Sequence, residues 1–170
     1  MDREAALADF ASARDEFLAA LEVAPDESLT YLRSGDIYAI GGLAVHCNWV
    51  LKHYQRVLDR LAEPEAGEFR ASDPAGEHEA ANRRALAGLR PDERGAEVAE
   101  LDSLHAAVNQ AALKVPAAAW QAKTPVFYGD AVDAFPTSPD DVIGWLRDHY
   151  REHVPHAEEL LADWRASRAQ

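Results

Sequence analysis

Seven histidines and a single cysteine carry most of the chemistry this chain can offer, and their spacing sets them apart. His149 and His153 are four residues apart and His156 follows three later. His46, His53, His78 and His105 are scattered through the preceding chain. On a helix an i,i+4 pair projects from one face about a turn apart. Two imidazoles so placed can reach one ion at about 2.0–2.1 Å, and neutral imidazole is the commonest metal ligand. The same spacing also occurs in plain surface or core residues, so the surroundings of the pair must decide.

Four amphipathic segments supply those surroundings, separated by stretches containing proline and glycine. The first runs from about Arg3 to Val23, with Leu7, Phe10, Phe17 and Leu21 on one face, Arg14 interrupting the stripe, and Pro25 closing it. The second runs from about Ala39 to Ala62, and Ile40, Leu43, Cys47, Val50, Tyr54, Val57 and Leu61 recur at spacings of three and four. The third opens at Pro91, a good first-turn residue, and Val98, Leu101, His105, Val108, Ala112 and Val115 line its face before Pro116. The fourth begins at Ser138-Pro139-Asp140-Asp141, which reads as N-cap, N1 proline, N2 and acidic N3, and continues to about Ala166.

Two connections remain. Glu63 to Arg90 is polar and carries Pro64, Gly67, Pro74, Gly76 and Gly88, with a short helix possible over Glu77 to Leu86. Ala117 to Pro136 reads as a loop crossing one end, anchored by Trp120, Phe127 and Tyr128. The expected fold is therefore all-α: one domain over residues 1–170, a four-helix bundle with a long connection between its second and third helices.

The apolar stripe of the fourth segment is Val142, Leu146, His149, His153, His156, Leu160 and Trp164, so three successive places expected to face the core are histidine. An unpaired buried polar nitrogen costs roughly 1–3 kcal/mol. Three in a row need a shared purpose or a wet cavity. His149 and His153 are therefore read as ligands of one divalent metal, and His46, flanking the stripe of the second segment, as the third. His156 either supports that cavity or replaces a ligand. Pro155 either kinks the helix beside the site or breaks it.

The other candidates carry less. His105 is read as a core histidine, with a second role as a possible proton carrier shared with His156. His53 is a rim residue two turns from His46, and His78 gives no signal. Cys47 sits on a clean apolar stripe with no cation or helix N-terminus to acidify it, so an inert thiol is expected. Asp148 and Glu152 point to other sides of their helix and read as solvent-facing charge.

Composition excludes several classes of function. The formal net charge is −13, spread along the chain, which disfavours nucleic acid and anionic membrane as partners. One cysteine permits no intramolecular disulfide and no zinc-finger spacing. The Met-Asp-Arg-Glu start leads into an amphipathic segment, and no apolar run approaches the length of a membrane span, so a cytoplasmic protein is expected.

Two segments resemble the DinB-like superfamily of metal-binding four-helix bundles. Tyr38-Ala39-Ile40-Gly41-Gly42-Leu43-Ala44-Val45-His46 is similar to that family's motif at the start of the second helix, and Asp148-His149-Tyr150-Arg151-Glu152-His153-Val154-Pro155-His156 to its last-helix His-x-x-x-His. The resemblance spans essentially the whole chain and places the metal triad at His46, His149 and His153. It implies zinc, nickel, manganese or iron as the ion and a homodimer as the assembly. It also implies a small-molecule substrate, with thiol S-transfer using a low-molecular-weight thiol, mycothiol-dependent isomerisation, hydrolysis or a non-catalytic role as the activities to weigh. The chain departs from the family at the entry to the second helix, where Ala39, Gly41 and Gly42 replace a small polar cap. Losing a capping oxygen predicts fraying worth about 1 kcal/mol, unless the glycines let another backbone or a substrate approach closely.

Overall fold

The computed structural model describes residues 2–63 and 67–169, so Pro64, read from the sequence as a breaker, lies outside the described residues. The chain is predominantly helical. Its elements in order are α1 (Arg3–Glu22), α2 (Gly42–Leu61), β1 (Phe69–Ala71), α3 (Glu77–Ala87), α4 (Arg94–Lys114), β2 (Thr124–Tyr128), β3 (Phe135–Thr137) and α5 (Pro139–Arg168). Single 3₁₀ turns occupy Asp26–Ser28 and Ala117–Ala119.

The helices follow the apolar spacing. Phe10, Ala13, Phe17 and Leu21 bury one face of α1 against α5. Leu43, Cys47, Val50, Val57, Leu58 and Leu61 bury the inner face of α2, which packs on α3, α4 and α5. Leu101, His105, Val108 and Ala112 do the same for α4. The start of α5 is fixed by a capping box: the Asp141 backbone N–H donates to Ser138 Oγ at 3.2 Å, and the Ser138 N–H donates to an Asp141 carboxylate oxygen at 2.7 Å. Pro139 takes the first turn, where its missing N–H costs nothing. α5 runs unbroken through Pro155, so the helix tolerates the lost hydrogen bond there.

Three features correct the sequence expectation. The chain is not purely α: β1, β2 and β3 form a small sheet in that order, with β1 parallel to β2 (Phe69↔Val126) and β3 antiparallel to it (Val126↔Phe135). Val126 is fully buried beneath it, so the segment from Ala117 to Pro136 is more than a crossing loop. The connection after α2 contributes β1, where no strand was expected, and α3, which is the short helix expected over Glu77 to Leu86. Finally, Pro91 does not open α4; residues 91–93 are a turn and the helix starts at Arg94.

The uncapped entry to α2 is held by backbone. The N–H groups of Ala39, Ile40 and Gly41 donate to the carbonyls of Ala85, Tyr31 and Leu29 at 2.9–3.0 Å. A Cβ on Gly42 would lie 1.8 Å from the Ala85 carbonyl oxygen, so glycine there lets α3 dock directly on the helix start. The expected fraying is replaced by this contact between backbones. Among the described residues no helix is long and apolar enough to cross a membrane.

Candidate metal centre

α2 and α5 pack against each other, and the contact brings together the three histidines singled out from the sequence. His46 lies one turn into α2, and His149 and His153 lie one turn apart in the middle of α5. Ring centroids are 4.9 Å apart for His46–His149, 5.3 Å for His46–His153 and 4.5 Å for His149–His153, each pair edge-on. One nitrogen from each ring lies within 4.8 Å of the other two, and no other such cluster of three histidine, cysteine or acidic residues occurs among the described residues. An ion bound at 2.0–2.1 Å in tetrahedral geometry needs donors roughly 3.3 Å apart.

The donor set fits a divalent ion. His149 Nε2 and both nitrogens of His153 are buried without a hydrogen-bond partner. Burial pushes the imidazole pKa values down, to about 3 for His46, about 4 for His149 and about 3 for His153; at His46 and His153 the neighbouring imidazoles push in the same direction. All three are neutral near pH 7 and can offer lone pairs. Buried nitrogens that do not hydrogen-bond are costly to keep, and a metal held between the three rings would satisfy one on His149 and one on His153.

The stripe on α5 differs in one detail from the sequence reading. Tyr150 and Ala157 occupy the buried centre, His153 is buried beside them, and His149 and His156 border the stripe half-buried. The triad therefore lies at an edge of the core instead of its axis, with one side towards solvent.

Several neighbours escaped the sequence. Tyr38 stacks on His46 at 4.3 Å, and its hydroxyl lies 3.3 Å from His46 Nε2. Asp36 takes His156 Nε2 at 2.9 Å and Arg33 at 2.9 Å. Burial raises the Asp36 carboxyl, but these two partners more than offset it and hold it below its usual range. His78, at the start of α3, stacks on Trp49 at 4.4 Å, and Trp49 in turn lies 6.2 Å from His46. Asp36 and His78 lie in connecting segments with no periodicity, so only the folded chain could reveal them. Tyr54, Tyr128, Trp145 and Phe135 continue the aromatic surface along α2 and α5, with successive centroids near 6 Å.

The remaining candidates separate from the triad. His105 is 2% exposed between α1 and α4, stacked on Phe10 at 4.0 Å. Its nearest aromatic neighbour on α5 is Tyr150, at 6.1 Å. His53 Nδ1 is held by both oxygens of Asp73 at 3.0 Å. Cys47 is buried, and burial drives its thiol pKa far above the usual range. Asp148 and Glu152 are exposed, as their helical positions require.

Compared with known protein families, curated proteins and solved structures, the chain matches none.

Proposed function

We propose that the chain is a DinB-like four-helix bundle formed by α1, α2, α4 and α5, that His46, His149 and His153 hold one divalent metal ion, and that the protein is a metal-dependent enzyme acting on a small molecule, with transfer of a low-molecular-weight thiol as its reaction. The convergence of three neutral imidazoles, with nitrogens of His149 and His153 left without a hydrogen-bond partner, carries this reading. Zinc, nickel, manganese and iron all suit nitrogen donors. Three protein ligands leave coordination places open, the pattern of catalytic sites and not of closed structural ones. A bound ion supplies Lewis acidity, lowering the pKa of a thiol or water held at the open position.

The chain's own groups do the rest. His156, oriented through Nε2 by Asp36, has Nδ1 left to take or return a proton beside the triad. Tyr38 positions the His46 ring by stacking. Trp49 and the aromatic row beyond it give a flat apolar wall along which a substrate can lie and from which water is partly excluded. The His156–Asp36 pair also favours metal-assisted hydrolysis as a second reading, because it offers a proton acceptor that needs no thiol.

Elemental analysis of the purified protein and of the His149→Ala, His153→Ala double variant tests the metal. The expectation is about one ion per chain in the wild type and almost none in the variant; equal substoichiometric metal in both overturns the triad. Assays of metal-replete protein against electrophiles, with and without thiol, then separate transfer from hydrolysis. Inactivity in both arms leaves the non-catalytic reading.

A further inference from the structure

A second concentration of functional side chains lies two turns beyond His46, and none of the triad belongs to it. Between α2 and β1 is a cleft of about 390 Å³, within the range of small-ligand sites, with His53, Arg56, Arg60, Arg70 and Ser72 on its walls. Three guanidinium groups around one cleft are unexpected in a chain with 17 basic and 30 acidic residues.

Each group is held in place. Arg56 is fixed by Asp73 at 2.5 Å and Glu77 at 2.8 Å. Arg60 is paired with Glu63 and lies over the Phe69 ring at 5.5 Å. Arg70 donates to the carbonyls of Gly129 and Ala131 and lies over Phe127 at 5.0 Å. Its partners are thus neutral, so its charge is not cancelled by a carboxylate bonded to it. Asp59, the acid on the wall, faces Lys114 at 3.4 Å. His53 is half-buried among Trp49, Tyr54 and Tyr128, and its Nδ1–H donates to the Asp73 carboxylate. That fixes the tautomer and leaves Nε2 as an acceptor for a ligand.

Guanidinium forks match the paired oxygens of an oxyanion. An acceptor nitrogen beside them matches an oxyanion that still carries a proton. We propose that the cleft between α2 and β1 is a binding site for a phosphate group, with Arg70 and Arg60 donating to its oxygens, Ser72 Oγ adding a hydrogen bond, and His53 Nε2 accepting the P–OH proton. Asp73 is a positioning residue, acting through His53. The overall negative charge repels polyanions, whereas a small phosphate can reach Arg70, whose bonded partners are neutral carbonyls.

The test is a titration of the full chain, in a phosphate-free buffer, with inorganic phosphate and separately with glycerol phosphate, read from backbone amide shifts. Saturable shifts confined to residues 53–60 and 69–72 are expected. Arg70→Gln and Arg60→Gln, whose side chains carry no core packing, are each expected to weaken binding about tenfold, the scale of one charge-assisted hydrogen bond. His149→Ala is expected to bind as the wild type does, which keeps this site separate from the triad. Tighter binding of glycerol phosphate assigns the site to a phosphomonoester, and tighter binding of inorganic phosphate to the free anion. The proposal is overturned if shifts fail to saturate, spread over the whole surface, or are equal in wild type and both arginine variants.

Discussion

Histidine is buried in two regions of this molecule, and the two differ in company more than in burial. At the α1–α4 contact His105 stands alone, 2% exposed, with both ring nitrogens unpartnered and its pKa pushed to about 4 chiefly by desolvation. At the α2–α5 contact His153 is 8% exposed and pushed to about 3 in the same way, but two further imidazoles each bring a ring nitrogen within 4.8 Å of one of its own. A depressed pKa and orphaned nitrogens therefore do not mark a metal site by themselves. Convergence does. His105 is explained by shape: it stacks on Phe10 as an aromatic ring would, and its nitrogens are a cost carried by the packing.

Removing ligands separates the two regions most sharply. Adding a metal ion to wild type at about a thousand times its Kd is expected to stabilise the fold by about 4 kcal/mol, seen as a rise in melting temperature. The His149→Ala, His153→Ala variant is expected to show no rise, while His105→Phe keeps the full response. A metal response surviving in the double variant would move the site elsewhere.

Acid should act next most strongly. For His105 the folded-state pKa of about 4 lies below the unfolded value of about 6.5, so the unfolded chain takes up the proton first. Its contribution is fully present above pH 6.5 and is lost as pH falls towards 4, by up to about 3 kcal/mol. Denaturation of metal-free protein at a series of pH values is expected to show this loss, and the slope should be shallower in His105→Phe. Equal slopes would mean that His105 does not titrate on unfolding.

At neutral pH the same substitution should stabilise. Phe keeps the stack on Phe10 and removes two unpaired nitrogens, so a gain of about 1–3 kcal/mol is expected in urea. A loss would show that His105 has a partner or task of its own. The smallest change is expected from Asp36→Asn, which releases His156 without touching a ligand: metal content should remain near one ion per chain while turnover falls about tenfold. Loss of the metal instead would place Asp36 in support of the ion.

The same contrast shows what was legible in the sequence. The four long helices are written in apolar spacing and in Ser138-Pro139-Asp140-Asp141; His149 and His153 were read from their place on one stripe, and His46 partly from flanking another and partly from the family resemblance. The sheet was hidden because Pro125 faces Pro136 across β2 and β3, and a residue that cannot donate to a ladder argues against strands. Asp36, Asp73 and His78 were hidden for another reason. Each acts through a contact between segments far apart in the chain, and spacing along one segment carries no trace of that. Gly41 and Gly42 were visible as a departure, but only the close approach of Leu29 and Leu89 to the first and of Ala85 to the second explains them.

The pairing of α1 with α5 has a consequence for how the chain comes to be folded. α5 follows every other described element, so during synthesis Phe10 and Phe17 wait for their cover until its residues emerge. His149 and His153 emerge with it. Of the triad only His46 has been made before then, so the three imidazoles cannot converge until the helices are ready to close.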